Sequence, residues 1–191
     1  MLLRSLIYNV MNLHEHGIVH ADLKPTNFII KETAHQYHTI KLIDYDNSFL
    51  VDAPPKDIEA FSMDPVYMAP EVLHFIAGED VTLTHKLDIF SLGIILHELL
   101  SGTIPTFPNK ENHYLYEAVL KNEPYVLASS ISKEYRLVIE KMLSPVPEER
   151  PELKAVFEEL ENKKPMEIVS KTKKDHYRKE RNSYLFAPGD L

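Results

Sequence analysis

The first sixteen residues follow a helical pattern. Apolar side chains recur with the spacing i, i+3, i+4 and i+7, which is typical of an amphipathic α-helix with one face buried in a core. The apolar positions are Leu2, Leu3, Leu6, Ile7, Val10 and Leu13. Gly17 is expected to end this helix, because glycine readily adopts the left-handed conformation that closes many helices. His14 and His16, near its end, would point to different faces, which favours a solvated helix end over a metal site.

A β-hairpin is predicted after this helix. Phe28–Ile30 and Thr39–Ile43 are short runs of β-branched and apolar residues, and a polar connection, Lys31–His38, separates them. Residues 47–65 show little periodicity and include Pro54-Pro55 and Asp64-Pro65, so we expect a long loop there. Loops of this length within a compact domain are usually functional or disordered.

The rest of the chain predicts helices. The segment 87–100 is apolar on nearly every face, as expected for a helix at the centre of a domain. Gly102 should close it, and Pro105 and Pro108 should prevent it from resuming. The predicted fold class is therefore mainly α with a small β-hairpin (α+β). The other predicted helices are Glu71–Ile76, Glu111–Leu120, Lys133–Leu143 and Glu152–Leu160.

Composition narrows the class of protein. The chain has 191 residues, of which 44% are hydrophobic and 26% charged, as in a single globular domain. It has no cysteine, so neither a disulfide nor a thiolate–zinc site can form. The absence of a long apolar run or a signal-peptide pattern leads us to expect a cytoplasmic protein without a membrane partner. The five glycines lie too far apart to form a phosphate-binding glycine-rich loop.

Charge divides the chain into two parts. Residues 1–162 hold 13 Lys/Arg and 25 Asp/Glu, whereas residues 163–191 hold 8 and 4. We therefore expect an acidic domain over residues 1–162 and a basic C-terminal tail over residues 163–191. The acidic body argues against a nucleic-acid partner. The tail could be a docking arm, but the simpler interpretation is a solvated segment.

The loop His20–Asn27 and the residue Asp44 carry the candidate chemistry. Asn27 precedes one predicted strand and Asp44 follows the other, so antiparallel pairing should bring their oxygen atoms together. A few hard oxygen ligands beside an open cleft suit Mg²⁺ shared with substrate phosphates. Asp22 is placed to accept a proton from an attacking hydroxyl, and Lys24 to neutralise charge on a transferred phosphoryl group.

Five motifs resemble those of eukaryotic-type protein kinases, in the family's order. The octet His20–Asn27 resembles the catalytic loop H-R-D-L-K-P-x-N, and Asp44-Tyr45-Asp46 resembles the metal-binding D-F-G. Ala69-Pro70-Glu71 matches A-P-E, and Asp88–Gly93 is similar to the D-x-W-S-L-G of the central helix. Arg150 falls where the family has an arginine that pairs with the A-P-E glutamate. The resemblance covers about residues 1–160, the family's helical C-terminal lobe.

The resemblance implies a role for each matching residue. Asp22 would be the catalytic base, Lys24 would contact the phosphoryl group, and Asn27 and Asp44 would hold magnesium. The implied cofactors are ATP and Mg²⁺, with Lys24, Asn27 and Asp44 as the cofactor-binding residues. The sequence from Lys24 to Asn27 resembles that of the serine/threonine subclass, which implies transfer of phosphate to a protein hydroxyl.

The sequence also departs from the family. We find no segment that corresponds to the N-terminal lobe. The chain is therefore expected to be either part of a longer kinase, completed by its own upper lobe or by a partner chain, or a truncated kinase that binds ATP weakly. The alternatives are a catalytically impaired pseudokinase that acts as a protein-binding scaffold, or a kinase of small molecules. The A-P-E motif disfavours the small-molecule alternative, because it serves protein-substrate docking in the family.

Three local departures lie near the predicted site. Ala21 replaces an arginine that pairs with a phosphorylated activation loop in many relatives, so such phosphorylation is not expected to be a strong switch. Asp46 replaces the glycine of D-F-G and could either add a ligand or disturb the metal site. Asp64-Pro65 stands where the family has Gly-Thr, whose threonine contacts the base and the lysine. The replacement is expected to affect how the hydroxyl that accepts the phosphate is positioned.

Four further residues have structural interpretations. We expect His20 to be packed or hydrogen-bonded, and Glu71 and Arg150 to form a structural ion pair. Asp88 should either cap the central helix or tie the catalytic loop down through hydrogen bonds.

Overall fold

The fold is mainly helical, with two small antiparallel sheets. The computed structural model describes residues 2–32, 38–57, 61–109, 111–163, 165–166 and 168. The helices are α1 (Leu2–Glu15), α2 (Pro70–Ile76), α3 (Lys86–Ser101), α4 (Leu115–Leu120), α5 (Lys133–Met142) and α6 (Leu153–Glu161). The strands are β1 (Ile18–Val19), β2 (Phe28–Glu32), β3 (His38–Leu42) and β4 (Phe49–Leu50), and 3₁₀ turns cover Pro25–Asn27 and Pro147–Glu149.

The predicted hairpin is present. Strands β2 and β3 pair antiparallel, with Phe28 opposite Leu42 and Ile30 opposite Ile40, although β3 ends one residue earlier than predicted. Residues 33–37 of the predicted polar connection lie outside the described residues. The second sheet pairs β1 with β4. Its strands are two residues long, too short for any period to be visible, so the prediction that 47–65 is entirely loop is wrong at its start.

Helix α3 forms the centre of the core, as its apolar composition predicts. Its side chains from Leu87 to Leu100 are almost all buried. Gly102 has φ 81° and donates its N–H to the Glu98 carbonyl, closing the helix as expected. Gly93 allows α5 to approach α3, because a Cβ at this position would lie 3.1 Å from atoms of Met142 and Leu143.

The outer helices follow the predicted pattern with one exception. Helix α1 buries its periodic face, with Leu6, Ile7 and Val10 fully enclosed. Helix α4 begins at Leu115, not at residue 111. Side chains take up the backbone donors of the preceding segment: Asn109 Oδ1 accepts the N–H of Glu111 at 3.0 Å, and a carboxylate oxygen of Glu117 accepts the N–H of Tyr114 at 3.1 Å. These bonds hold a turn in place of the first helical turn.

Two sequence predictions concern the outside of the domain. No described helix combines the length and apolar character needed to cross a bilayer. The division into an acidic domain and a basic tail stays a prediction, because residues 164, 167 and 169–191 lie outside the described part of the chain.

Candidate active site

The loop from His20 to Asn27 is anchored on the buried carboxylate of Asp88, at the start of α3. The N–H of His20 donates to Asp88 Oδ2 at 2.8 Å, and the N–H of Ala21 donates to Oδ1 at 2.9 Å. Ala21 has φ 62°, a left-handed conformation that costs free energy for a residue with a Cβ. Of the two predictions for Asp88, the tie to the loop is the one observed.

His14 supplies a third donor to the same carboxylate. Its Nε2 lies 2.9 Å from Asp88 Oδ2, and its side chain is only 9% exposed. The prediction of a solvated helix end is therefore wrong for His14, whereas His16 is exposed. Helix periodicity could not reveal this contact, because it depends on α3 crossing the end of α1.

Asp22 lies at the centre of the candidate site and is nearly buried. Lys24 Nζ lies 2.6 Å from Asp22 Oδ2. The amide nitrogen of Asn27 donates to the main-chain carbonyl of Asp22 at 2.9 Å and to its Oδ2 at 3.2 Å. The N–H of Asp64 donates to the other carboxylate oxygen, Oδ1, at 3.2 Å. These contacts gather a carboxylate, an ammonium and an amide in one small volume.

The local backbone explains why Asn27 and Asp44 are neighbours. The 3₁₀ turn Pro25–Asn27 is closed by a bond from the N–H of Asn27 to the carbonyl of Lys24, 2.9 Å. The N–H of Ile43 then donates to the carbonyl of Asn27 at 3.0 Å, which places Asp44 beside the turn. Asp44 is exposed and has φ 67°. The predicted convergence of the two strand ends is thus present in the backbone.

The charges of the site act on Lys24. The hydrogen bond with Asp22 raises the pKa of Lys24 above its usual 10.5, and burial opposes this change. The negative charges of Asp22, Asp64 and Asp44 raise the same pKa further. Lys24 is therefore a permanent cation at neutral pH, suited to stabilising a negatively charged group.

The polar groups at the strand ends fit a magnesium ion that shares its ligands with phosphate. Both hydrogen bonds of the Asn27 amide nitrogen go to Asp22, so its amide oxygen is the atom available to a cation. Asp44 offers an exposed carboxylate. Mg²⁺ typically takes one or two protein oxygens and completes its shell with water and phosphate. In the described ranges no group of three or more His, Cys, Asp or Glu residues could hold a metal alone.

The ring of His20 supports the loop from within. Its Nε2 lies 3.3 Å from the carbonyl of Ile43, and its ring centroid lies 5.0 Å from that of Tyr45. These contacts agree with the structural interpretation of His20. They also connect the loop from His20 to Asn27 with the segment that carries Asp44.

The segment before α2 is fixed to the core helix. Tyr67 donates its hydroxyl hydrogen to Glu98 at 2.7 Å, and Ser91 donates its own to the carbonyl of Tyr67 at 2.7 Å. Sequence analysis missed this support, because Tyr67 and Glu98 belong to different predicted elements. The contacts hold the chain that leads from Asp64 to α2 against α3.

Glu71 and Arg150 form the predicted structural ion pair. The two terminal guanidinium nitrogens, Nη1 and Nη2, donate to the carboxylate at 2.6 and 2.7 Å, and the arginine side chain is fully buried. The guanidinium also donates to the carbonyls of Ser144 and Lys86. The pair joins α2 to the turn before α6 and lies outside the Asp22 cluster.

Comparison with known proteins identifies the family. Residues 1–160 match the protein kinase domain. The chain belongs to the protein kinase family. The resemblance to eukaryotic-type serine/threonine kinases is confirmed, because two of the similar proteins carry that description in their names.

Three relatives illustrate the similarity. Calcium-dependent protein kinase 14 of Arabidopsis thaliana is 35% identical over 158 residues, 78% of this chain and 27% of its own length. The ovarian-specific serine/threonine-protein kinase Lok of Drosophila melanogaster is 34% identical, covering 81% of this chain and 32% of its own. Serine/threonine-protein kinase cds1 of Schizosaccharomyces pombe is 32% identical, with shares of 78% and 32%. The chain thus spans about a third or less of these relatives.

Proposed function

We propose that this chain is the C-terminal lobe of a protein kinase that transfers phosphate from ATP to protein serine or threonine hydroxyls. The observation that carries the proposal is the contact of Asp22 with Lys24 and Asn27, in a turn bonded to the residue before Asp44. Phosphoryl transfer depends mainly on positioning and on electrostatic stabilisation. A second lobe, from a longer protein or a partner chain, would complete the nucleotide site.

Each polar residue has one task in the proposed reaction. Asp22 accepts the proton of the substrate hydroxyl and orients that hydroxyl for attack. Lys24, 2.6 Å from Asp22, stabilises the charge that develops on the transferred group. Asn27 and Asp44 would hold Mg²⁺ through their oxygen atoms. Bound ATP would supply the phosphoryl group and leave as ADP, and the Mg²⁺ would neutralise part of the phosphate charge.

The test is phosphate transfer from labelled ATP to serine peptides, with this lobe in its full-length protein. We expect Asp22→Asn to lower kcat by about 10²–10⁴, because the general base is lost. Asp44→Asn should abolish the Mg²⁺ dependence of ATP binding. Asp80→Asn, an exposed aspartate after α2, makes the same chemical change away from the loop and serves as the control. Unchanged transfer in Asp22→Asn would contradict the assignment.

A non-catalytic scaffold is the second candidate, and the composition of the D-F-G-like segment favours it. Asp46 stands in the place of glycine and adds a negative charge two residues after Asp44, which would disturb a metal site there. Titration of MgATP against the full-length protein separates the two functions. A scaffold would bind partner proteins without binding the nucleotide, and its partner binding would be unaffected by Asp22→Asn. For the isolated lobe we expect no measurable ATP hydrolysis or autophosphorylation.

A further inference from the structure

A cleft of about 360 Å³ opens between the end of α4 and the end of α5. None of the residues that line it belongs to the Asp22 cluster. Its floor is apolar, because Val119 and Leu143 are buried there and the ring of Tyr125 is half-buried. Its rim carries the carboxylates of Glu123, Glu140 and Glu149. An apolar floor with a negatively charged rim is complementary to a basic peptide segment.

Two of the rim carboxylates are available to a basic group. Glu140 is exposed, and among the described residues its side chain has no ion pair or hydrogen bond. Burial raises the pKa of Tyr125, and the carboxylate of Glu140 raises it further, so the charge of Glu140 acts on the floor of the cleft. Glu149 is also exposed and accepts a hydrogen bond from the Ser144 hydroxyl at 2.8 Å. Such carboxylates can each accept a lysine or arginine donor.

The other charged groups of the cleft already have partners. Lys141 is part of the lining, but its ammonium lies 3.7 Å from Glu159 of α6. Glu123 accepts hydrogen bonds from two asparagine amides at 2.6 to 3.1 Å, and the charge of Lys121 also acts on it. Glu140 and Glu149 are therefore the carboxylates that a further cation would meet.

The described part of the basic tail runs past the start of α5, which leads to this cleft. The N–H of Ser132 donates to Met166 Sδ at 3.5 Å, and Ile168 packs against the core. A helix rises about 1.5 Å per residue, so Glu140 lies about 12 Å further along α5 than Ser132. About four extended residues span this distance. Residues 169–181 hold six Lys/Arg and two Asp/Glu, and their first lysines fall within this reach.

We propose that residues 169–181 dock in the cleft of their own chain, with lysine side chains paired to Glu140 and Glu149. The apolar stems of these lysines lie on the floor of the cleft while their ammonium groups meet the rim. A tethered segment has an effective concentration of roughly millimolar, which favours it over a separate basic protein. The contact also supports the buried ion pair of Arg150, because the carbonyl of Ser144, on the lining, accepts the Arg150 Nε–H at 2.9 Å.

Carbodiimide cross-linking of the full-length protein tests the contact without any need for phosphate transfer. The reagent joins a carboxylate to a lysine amine only where the two groups touch, and mass spectrometry of the peptides identifies the linked residues. We expect Glu140 to link to lysines of residues 169–181 with about three times the yield of Glu158. Glu158 is an exposed glutamate of α6 whose side chain has no partner among the described residues. It lies nearer to the segment along the chain, so proximity alone would favour Glu158.

A variant and a mixing experiment complete the test. Glu149→Gln should lower the yield of the Glu140 link about twofold, because one of the two paired charges is lost. Glu15→Gln, an exposed position at the end of α1, should leave the yield unchanged. In an equal mixture of ¹⁵N-labelled and unlabelled protein, the linked peptides should both come from the same chain. Equal yields from Glu140 and Glu158, a yield unaffected by Glu149→Gln, or links of mixed isotope that place a second copy in the cleft would each overturn the proposal.

Discussion

Two ion pairs of similar length serve different purposes in this protein. Arg150 and Glu71 meet at 2.6 Å with both side chains buried, and Lys24 and Asp22 also meet at 2.6 Å. The guanidinium is fully enclosed, whereas the Lys24 side chain is 24% exposed. Arg150 contacts its carboxylate twice and two carbonyls besides, whereas Lys24 makes one contact.

The two pairs differ in whether their charged groups stay accessible to another molecule. The Arg150 guanidinium donates four hydrogen bonds to protein oxygens and also lies 5.0 Å from the ring centroid of Phe90. The Lys24 side chain is partly exposed, and the charges of Asp44 and Asp64 also act on its ammonium. A fully enclosed ion pair fixes the geometry of the fold, whereas a partly exposed pair can exchange partners with a substrate. The following variants test this division.

Removing Arg150 should have the largest effect on stability. In Arg150→Met the carboxylate of Glu71 stays buried without a cation, and loss of one partner of such a pair costs about 3–5 kcal/mol. Urea unfolding monitored by circular dichroism measures the change. The double variant Glu71→Leu with Arg150→Met removes both charges and should recover most of the loss. A single variant as stable as the wild type would show that the pair is not a structural anchor.

The Asp88 anchor should come next. Asp88→Ala leaves the N–H groups of His20 and Ala21 without their acceptor, and each buried unsatisfied donor costs about 1–3 kcal/mol. Amide hydrogen exchange should accelerate at these two residues first, because the carboxylate holds the left-handed conformation of Ala21. Asp88→Asn, which keeps one acceptor oxygen, should have a smaller effect. Exchange that is unchanged in Asp88→Ala would show that other contacts hold the loop.

The sequence predicted some elements and contacts of the protein and missed others, for a physical reason. Periodicity was enough to predict α1, α3 and the hairpin, whereas the pairing of Glu71 with Arg150 came from the resemblance to the kinase family. The predicted hairpin also brought Asn27 and Asp44 together, because strand pairing relates the ends of adjacent strands. The contacts of His14 with Asp88 and of Tyr67 with Glu98 could not be predicted, since each depends on how two helices or loops cross in space.

A pH-dependent loss of stability should come from His97, a buried side chain of α3. Its Nδ1 donates to the carbonyl of Thr103 at 2.7 Å, and its Nε2 accepts the N–H of Ala128 at 2.9 Å. Burial lowers the pKa of His97 below 6.5, and the Thr103 hydrogen bond opposes this change. A second proton on the ring would turn Nε2 into a donor, which would then face the N–H of Ala128.

The sign of the effect follows from these contacts. Because the pKa of His97 is lower in the folded state, its contribution is fully present above pH 6.5. It is lost as the pH falls through 6.5 towards the lower folded-state pKa. Unfolding free energies measured from pH 8 to pH 5 should therefore decrease, with a smaller slope in His97→Gln. An equal slope in the variant would assign the decrease to other groups.

The smallest change in stability should come from the pair of Lys24 and Asp22. Lys24→Met removes the ammonium but leaves Asp22 with its bonds from the Asn27 amide and the Asp64 N–H. Since Lys24 is partly solvated and the buried Asp22 carboxylate keeps these two donors, the free energy of unfolding should change by about 1–2 kcal/mol, less than in Arg150→Met. The same urea titration as for Arg150→Met makes the two results directly comparable. A loss as large as that of Arg150→Met would mean that Lys24 supports the fold, and its assignment to the phosphoryl group would lose its basis.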